Sequence, residues 1–159
     1  MNVIINSYSV HMNDIYFNHK QFIKERDQLN QYSKVLLRFS ALFALVGVFL
    51  GSHMAGSGGY QFLTVHAHIL VVGWLSLFAF AVFYKVFKPA QTILATLQVW
   101  TAIIGAIGLT AGMWFRYVGP FGMDTDGTFS LIFFIIGGTI LLLSFVFFAI
   151  LTFMKTDVE

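Results

Sequence analysis

Three of the five histidines lie where an ionisable side chain is costly, and these are the residues best able to do chemistry. His53, His66 and His68 fall between Arg38 and Lys85, a stretch that contains no Lys, Arg, Asp or Glu. An ionisable group in such an apolar stretch is a functional hypothesis by default, and neutral imidazole is the commonest metal ligand. The sequence therefore predicts a metal or haem site at these three histidines.

The other residue types narrow the choice of metal. The chain has no Cys and only 7 Asp and Glu. The lack of Cys excludes zinc–thiolate sites, iron–sulfur clusters and c-type haem attachment, and the shortage of carboxylates argues against a magnesium, calcium or di-iron site. Ligation by imidazole alone suits haem iron, copper or zinc.

Helical geometry limits how the histidines can share one metal. Residues two apart on a regular helix are about 200° apart around its axis, so we expect His66 or His68 to point into the bundle and the other toward a loop, a second subunit or a second cofactor. Gly73, seven residues after His66, would leave room for a bulky planar group. A six-coordinate haem would take its second imidazole from His53 or from a second copy in a homodimer.

Two further residues are candidates for the cofactor pocket. Arg116 could pair with a haem propionate, and the alternative is an interfacial arginine that extends to the headgroups. Trp74 could form a wall of the pocket, or could belong to the aromatic belt of a membrane protein. For the histidines the alternative is a hydrogen bond to a loop carbonyl or to water.

The composition predicts the elements that carry these residues. The 159 residues are 58% hydrophobic and 10% charged, which excludes a soluble globular enzyme, a disordered segment and a disulfide scaffold. Charge-free stretches of sufficient length predict four transmembrane helices. We expect an all-α integral membrane four-helix bundle over residues 34–155, with spans at about 35–55, 62–87, 90–116 and 128–154, preceded by a polar N-terminal arm.

The arm, residues 1–33, is polar with mixed charge, and Ile15–Leu29 could form a short surface helix in it. Eight of the nine Lys and Arg fall at one end of the predicted spans and only Arg116 at the other. The positive-inside rule then predicts that both termini are cytoplasmic, in the inner membrane of a bacterium. The net charge is only +2, and the basic residues lie at the ends of the predicted spans. Nucleic acid is therefore not an expected partner.

Small residues recur at helical spacing in two of the spans. Ser40, Ala44, Gly47 and Gly51 share one face of the first span, and Thr101, Gly105, Gly108 and Gly112 share one face of the third. Such faces predict close helix–helix packing, although a flat macrocycle could also lie against one of them. The Phe-rich fourth span is predicted to meet lipid or a second subunit.

The helix that begins at His66 bears a family resemblance. The run His-Ala-His-Ile-Leu-Val-Val-Gly-Trp from His66 to Trp74, continuing to Tyr84, resembles the haem-ligand helix of haem–copper oxidase and nitric oxide reductase catalytic subunits. It is also similar to the NnrS family and to short four-span proteins described as cytochrome c oxidase subunit I-like. The resemblance implies a b-type haem ligated by His66 or His68. No histidine follows His68, so a complete oxygen-reducing site in one chain is not expected.

Three hypotheses follow. The first is a homodimeric b-type haem protein for electron transfer or for handling haem or a diatomic gas. The second is a copper or zinc site formed by His53, His66 and His68 together. The third is a cofactor-free accessory or assembly subunit of a respiratory complex, in which the histidines bond backbone. Imidazole rings that lie apart, each bonded only to main chain or water, would contradict the shared metal centre on which the functional case depends and would leave only the topology.

Overall fold

The part of the chain that the structure describes is 88% helical. The computed structural model describes residues 2–89, 92–122 and 125–154, and those ranges contain no strand. The helices are α1 (Asn2–Ser57), α2 (Leu63–His68), a π-helical segment (Ile69–Ser76), α3 (Leu77–Val86), α4 (Ile93–Tyr117) and α5 (Thr128–Phe153).

Four stretches are long and apolar enough to cross a membrane. They are Asp27–Ser57, Leu63–Val86, Ile93–Tyr117 and Thr128–Phe153. The predicted all-α class and the four spans are therefore confirmed. The third span was expected from Ala90, which lies outside the described residues, and its helix begins at Ile93.

Helix α1 is longer than the sequence analysis expects. Instead of a separate arm with a short helix at Ile15–Leu29, one continuous helix runs from Asn2 to Ser57. The chain has no Gly or Pro before Gly47, so nothing interrupts the backbone hydrogen bonds. The helix ends at Gly58, whose positive φ of 68° is the usual left-handed stop. The amide of Gly58 donates to the carbonyl of Met54 (3.0 Å).

The first hairpin pairs α1 with the second span in antiparallel fashion. Two stripes of α1 at seven-residue spacing face that span. One consists of Leu29, Leu36, Phe43 and Leu50, and the other of Ser33, Ser40, Gly47 and Met54; all of these are buried except the half-buried Phe43. Seven-residue spacing keeps one seam facing the partner in a left-handed crossing.

Polar side chains cross this seam at three levels. The hydroxyl of Ser33 donates to the carbonyl of Ala81 (2.9 Å), and that of Ser40 to the carbonyl of Trp74 (3.0 Å). At the third level Nδ1 of His66 lies 2.9 Å from the carbonyl oxygen of Gly47. Each of these bonds joins a side chain to the backbone of the opposite helix, so they fix the register of the hairpin.

The π-helical segment adjusts that register. On α1 the three bonded residues are evenly spaced, seven residues apart, at Ser33, Ser40 and Gly47. On the opposite span the spacing is seven residues from Ala81 to Trp74 but eight from Trp74 to His66. The extra residue falls within Ile69–Ser76, where a π-helix accommodates it in a wider turn. A regular helix with seven-residue spacing would place Ala67 opposite Gly47. The π segment therefore places His66 at the seam.

The second hairpin, α4 with α5, is built on backbone contact. A Cβ added to Gly105 would lie 2.5 Å from the backbone N of Leu141, and one added to Gly137 would lie 2.3 Å from the carbonyl carbon of Gly108. A Cβ added to Gly112 would lie 2.5 Å from the Cα of Phe134. The predicted packing face of the third span is confirmed at its three glycines.

Aromatic side chains join the two hairpins. The ring of Phe80 lies 4.6 Å from that of Phe148 and 5.3 Å from that of Phe145, and the ring of Phe83 lies 4.9 Å from that of Phe148. Part of the fourth span's phenylalanine face thus packs inside the chain rather than against lipid or a second subunit. Phe129 remains largely exposed, as that prediction expects.

Candidate functional site

His66 lies in the groove between α2 and α1, and two glycines of α1 make room for it. Its Nδ1 lies 2.9 Å from the carbonyl oxygen of Gly47. A Cβ on Gly51, one turn further along α1, would lie 2.9 Å from Cε1 of the ring. Any larger residue at position 51 would therefore press on the imidazole. The ring is half-buried, within the apolar span.

The hydrogen bond to Gly47 fixes the tautomer of His66. A backbone carbonyl can only accept, so Nδ1 carries the proton and donates it. In the neutral ring, Nε2 then has a free lone pair. No hydrogen bond from Nε2 is found among the described residues. An imidazole held by its Nδ1–H on a carbonyl, with Nε2 open, is the usual arrangement of a metal-ligating histidine.

His68 has the same tautomer on a different face of α2. Its Nδ1 lies 2.9 Å from the carbonyl oxygen of Thr64, one turn earlier in the same helix. The ring is half-buried and, two residues from His66, it lies about 200° away around the axis. The two histidines therefore do not converge on one metal.

His53 lies on the exposed side of α1. It follows Gly51 by two residues, and this turns it away from the face that receives His66. Its imidazole meets the ring of Phe62 edge-on at 5.9 Å, and Phe62 in turn lies 5.3 Å from the ring of Trp114. The structure thus joins His53 to the loop before α2, not to the other histidines.

No group of three metal-ligating side chains forms in the described part of the chain. This geometry does not support the hypothesis that His53, His66 and His68 together bind copper or zinc. The rings of His66 and His68 lie on different faces, and each bonds main chain, so only a site that takes one imidazole from this set matches the observed geometry.

The room expected above Gly73 is occupied. A Cβ on this buried glycine would lie 2.1 Å from Cδ1 of Phe43, because the ring of Phe43 fills the space that a side chain at position 73 would take. Trp74 is 44% exposed, and its backbone carbonyl accepts from Ser40. Gly73 here serves the contact with α1, and its surroundings do not fit a planar group at that point.

Arg116 is tied to the loop that follows α4. Its Nη1 donates to the carbonyl of Thr125 and lies 3.2 Å from a carboxylate oxygen of Asp126. Ser130 also donates to the Thr125 carbonyl (2.9 Å). Arg116 thus orders the connection between α4 and α5. This arrangement fits an interfacial arginine better than an arginine that is free to pair with a haem propionate. Asp124, the other acid between α4 and α5, lies outside the described residues.

Gly47, Gly51 and Phe43 are the site residues that sequence reasoning did not assign to the histidines. The two glycines were expected to pack a helix or to lie against a flat macrocycle, and Phe43 was not singled out. Their spacing on α1 was the available signal, since Gly47 and Gly51 form a bare face one turn long. What that face receives depends on the register of the hairpin, which the sequence does not display.

Comparison of the chain with protein-family models, with curated proteins and with solved structures found no match. The resemblance of the His66–Trp74 run to haem-ligand helices therefore remains a prediction from the residues alone.

Proposed function

We propose that this chain is a membrane-bound b-type haem protein in which Nε2 of His66 would ligate the iron. The observation that carries the proposal is the Nδ1 contact of His66 with the Gly47 carbonyl at 2.9 Å. It holds the ring on a rigid helix and leaves the ligating nitrogen unprotonated. A bound haem would supply one-electron chemistry or a site for a diatomic gas.

The chain's own residues would position the ligand. Gly51 leaves room for Cε1 of the ring beside α1, and the Gly47 carbonyl raises the basicity of the imidazole by accepting a hydrogen bond from Nδ1. His53 is turned away from His66, so a second ligand to the iron would come from outside the described chain, either from a second copy in a homodimer or from a gas molecule. A respiratory-chain protein is the proposed redox partner.

Spectra of purified variants test this proposal. The wild-type protein, purified in detergent after expression with added haem, is expected to show a Soret band. His66→Asn is expected to abolish it, because the Asn amide can still donate to the Gly47 carbonyl but has no atom at the position of Nε2. His53→Asn, on the exposed side of α1, is the matched control and should keep the band. A wild-type protein without a Soret band, and without extractable haem, would contradict the proposal.

One observation favours a second function, that of a cofactor-free accessory subunit. The bonds of His66 and His68 to main chain are those expected if the histidines only stabilise helices. In that case His66→Asn retains the wild-type stability and assembly, whereas His66→Ala loses about 1 kcal/mol because the Gly47 bond is gone. Haem content of the wild-type protein, compared with that of the His66→Asn variant, therefore separates the two functions.

We also propose that the end of the bundle with Lys85 faces the cytoplasm of a bacterial inner membrane. The support is the excess of Lys and Arg at that end. The chain has no Cys, so single cysteines placed at Gly56 and at Lys34 give a clean assay. A membrane-impermeant thiol reagent added to intact spheroplasts should label the first and not the second, and the reverse pattern would contradict this orientation.

A further inference from the structure

A cavity of about 250 Å³ lies at the opposite end of the bundle from the histidines. Its walls are Leu29 and Asn30 of α1 together with Tyr84, Lys85 and Lys88 at the end of the second span. This end is where the span meets the headgroup region, because α3 ends at Val86. The cavity is thus lined by two cations, an amide and a buried phenol, over an apolar wall.

Lys85, Asn30 and Tyr84 have hydrogen-bond partners in this cavity. Nζ of Lys85 donates to Oδ1 of Asn30 (2.9 Å). Tyr84 is fully buried, and its hydroxyl lies 3.0 Å from Oε1 of Gln98 and 3.1 Å from the carbonyl of Ala95 on α4. Lys85 therefore has one proton donor directed to Asn30 and two remaining donors. A pre-ordered ammonium group in a cavity is suited to bind an anion.

Lys88 occupies a backbone position where glycine would be less strained. Its φ of 44° is the only positive value of a non-glycine residue in the described ranges. A left-handed conformation costs an ordinary residue about 1 kcal/mol, and the residue after a helix end is usually Gly. A lysine in such a position points to a role for its side chain. That side chain belongs to the lining of the cavity.

The charge balance of the described lining residues favours an anion. The last turn of α3 contributes about half a negative charge from the helix dipole, which the two lysine charges exceed. We propose that the cavity binds the phosphate group of an anionic ligand, with Lys85 and Lys88 as its cationic partners. Both lipid headgroups and free phosphate carry this group, and basic pockets between helices at a membrane surface commonly bind lipid phosphates.

Binding measurements on the full chain in detergent test the proposal. Native mass spectrometry with phosphatidylglycerol is expected to show one lipid retained in preference to phosphatidylcholine. Lys88→Gly should weaken that retention about fivefold, since one interfacial lysine contributes about 1 kcal/mol, while relieving the strained φ and keeping the fold. Lys85→Gln should weaken it to a similar degree. Lys34→Gln removes an exposed charge of α1 that does not line the cavity and should leave it unchanged.

The second arm identifies the source of the phosphate. Inorganic phosphate that displaces the lipid at millimolar concentration, with the same dependence on Lys85 and Lys88, would assign the cavity to a free phosphate. Lipid retention that resists phosphate would assign it to a headgroup. Equal retention of the two lipids by the wild type, without phosphate binding, would overturn the proposal, as would lysine variants that bind like the wild type.

Discussion

The two hairpins of this bundle hold their helices together through different kinds of contact. In the first, α1 is joined to the second span by side chains that donate to backbone carbonyls, from Ser33, Ser40 and His66. In the second, α4 and α5 touch backbone to backbone at Gly105, Gly112 and Gly137. Lipid is as apolar as the helices, so neither seam can depend on the hydrophobic effect. The first seam offers donors and acceptors near its histidine, and the second offers only close contact.

The largest effect is expected where the second seam is tightest. In Gly137→Ala the new methyl group would lie 2.3 Å from the carbonyl carbon of Gly108 and 2.4 Å from the amide N of Leu109. Backbone atoms cannot turn aside, so α4 and α5 must separate. We expect a loss of about 3 kcal/mol in the free energy of unfolding, measured by titration with sodium dodecyl sulfate.

Gly138→Ala is the matched control for that prediction. Its Cβ would lie 3.6 Å from Cδ1 of Leu109, an ordinary van der Waals contact. The neighbouring variant should be unchanged or more stable by up to about 1 kcal/mol, because Ala is the better helix former. Equal stabilities for the two variants would show that the second seam is not packed on Gly137.

A glycine substitution in the first seam is expected to cost less stability, because the closest contact there is with a side chain. In Gly73→Ala the methyl group would lie 2.1 Å from Cδ1 of Phe43, and the ring can rotate or shift. We expect a loss of about 2 kcal/mol. Combining this change with Phe43→Leu should recover part of it, which a double-mutant cycle would measure. Additive losses would mean that Gly73 and Phe43 are not coupled.

The sequence predicts the spans better than the seams. Stretches without charge locate all four spans, and the glycine spacing of α4 predicts the face that meets α5. The π segment at Ile69–Ser76 has no signal, since its residues are those of any apolar helix. This segment sets the register of the hairpin. That register places Phe43 in the space beside Gly73 and His66 opposite Gly47. Local pattern does not determine which residue of one helix lies opposite which residue of another.

A smaller effect is expected from a single hydroxyl of the first seam. Ser40 is buried and donates to the Trp74 carbonyl at 3.0 Å. Ser40→Ala should cost about 0.6 kcal/mol, the average for hydrogen bonds between membrane helices. Thr139, whose hydroxyl is exposed and donates within its own helix to Ile135 (2.9 Å), is the control: Thr139→Ala should leave the unfolding midpoint unchanged. A Ser40→Ala loss above 2 kcal/mol would show that the seam depends on polar bonds far more than this average allows.

A net change in stability near zero is expected from removing one residue of the π segment, because the contributions cancel. Val71 is 57% exposed. Its deletion would shorten the spacing between His66 and Trp74 from eight residues to seven, which equals the spacing between Gly47 and Ser40 on α1. A regular helix could then keep both the Gly47 and the Trp74 contacts. The deletion removes the acceptor of the Ser76 hydroxyl (2.9 Å) but also a wide turn that is less stable than an α-helical one. These terms oppose each other, so the unfolding free energy should stay within about 1 kcal/mol of the wild type. If the haem spectrum is lost while the stability is unchanged, the π segment is needed for the chemistry of His66. If the variant does not fold, the extra residue is needed for the structure of the hairpin.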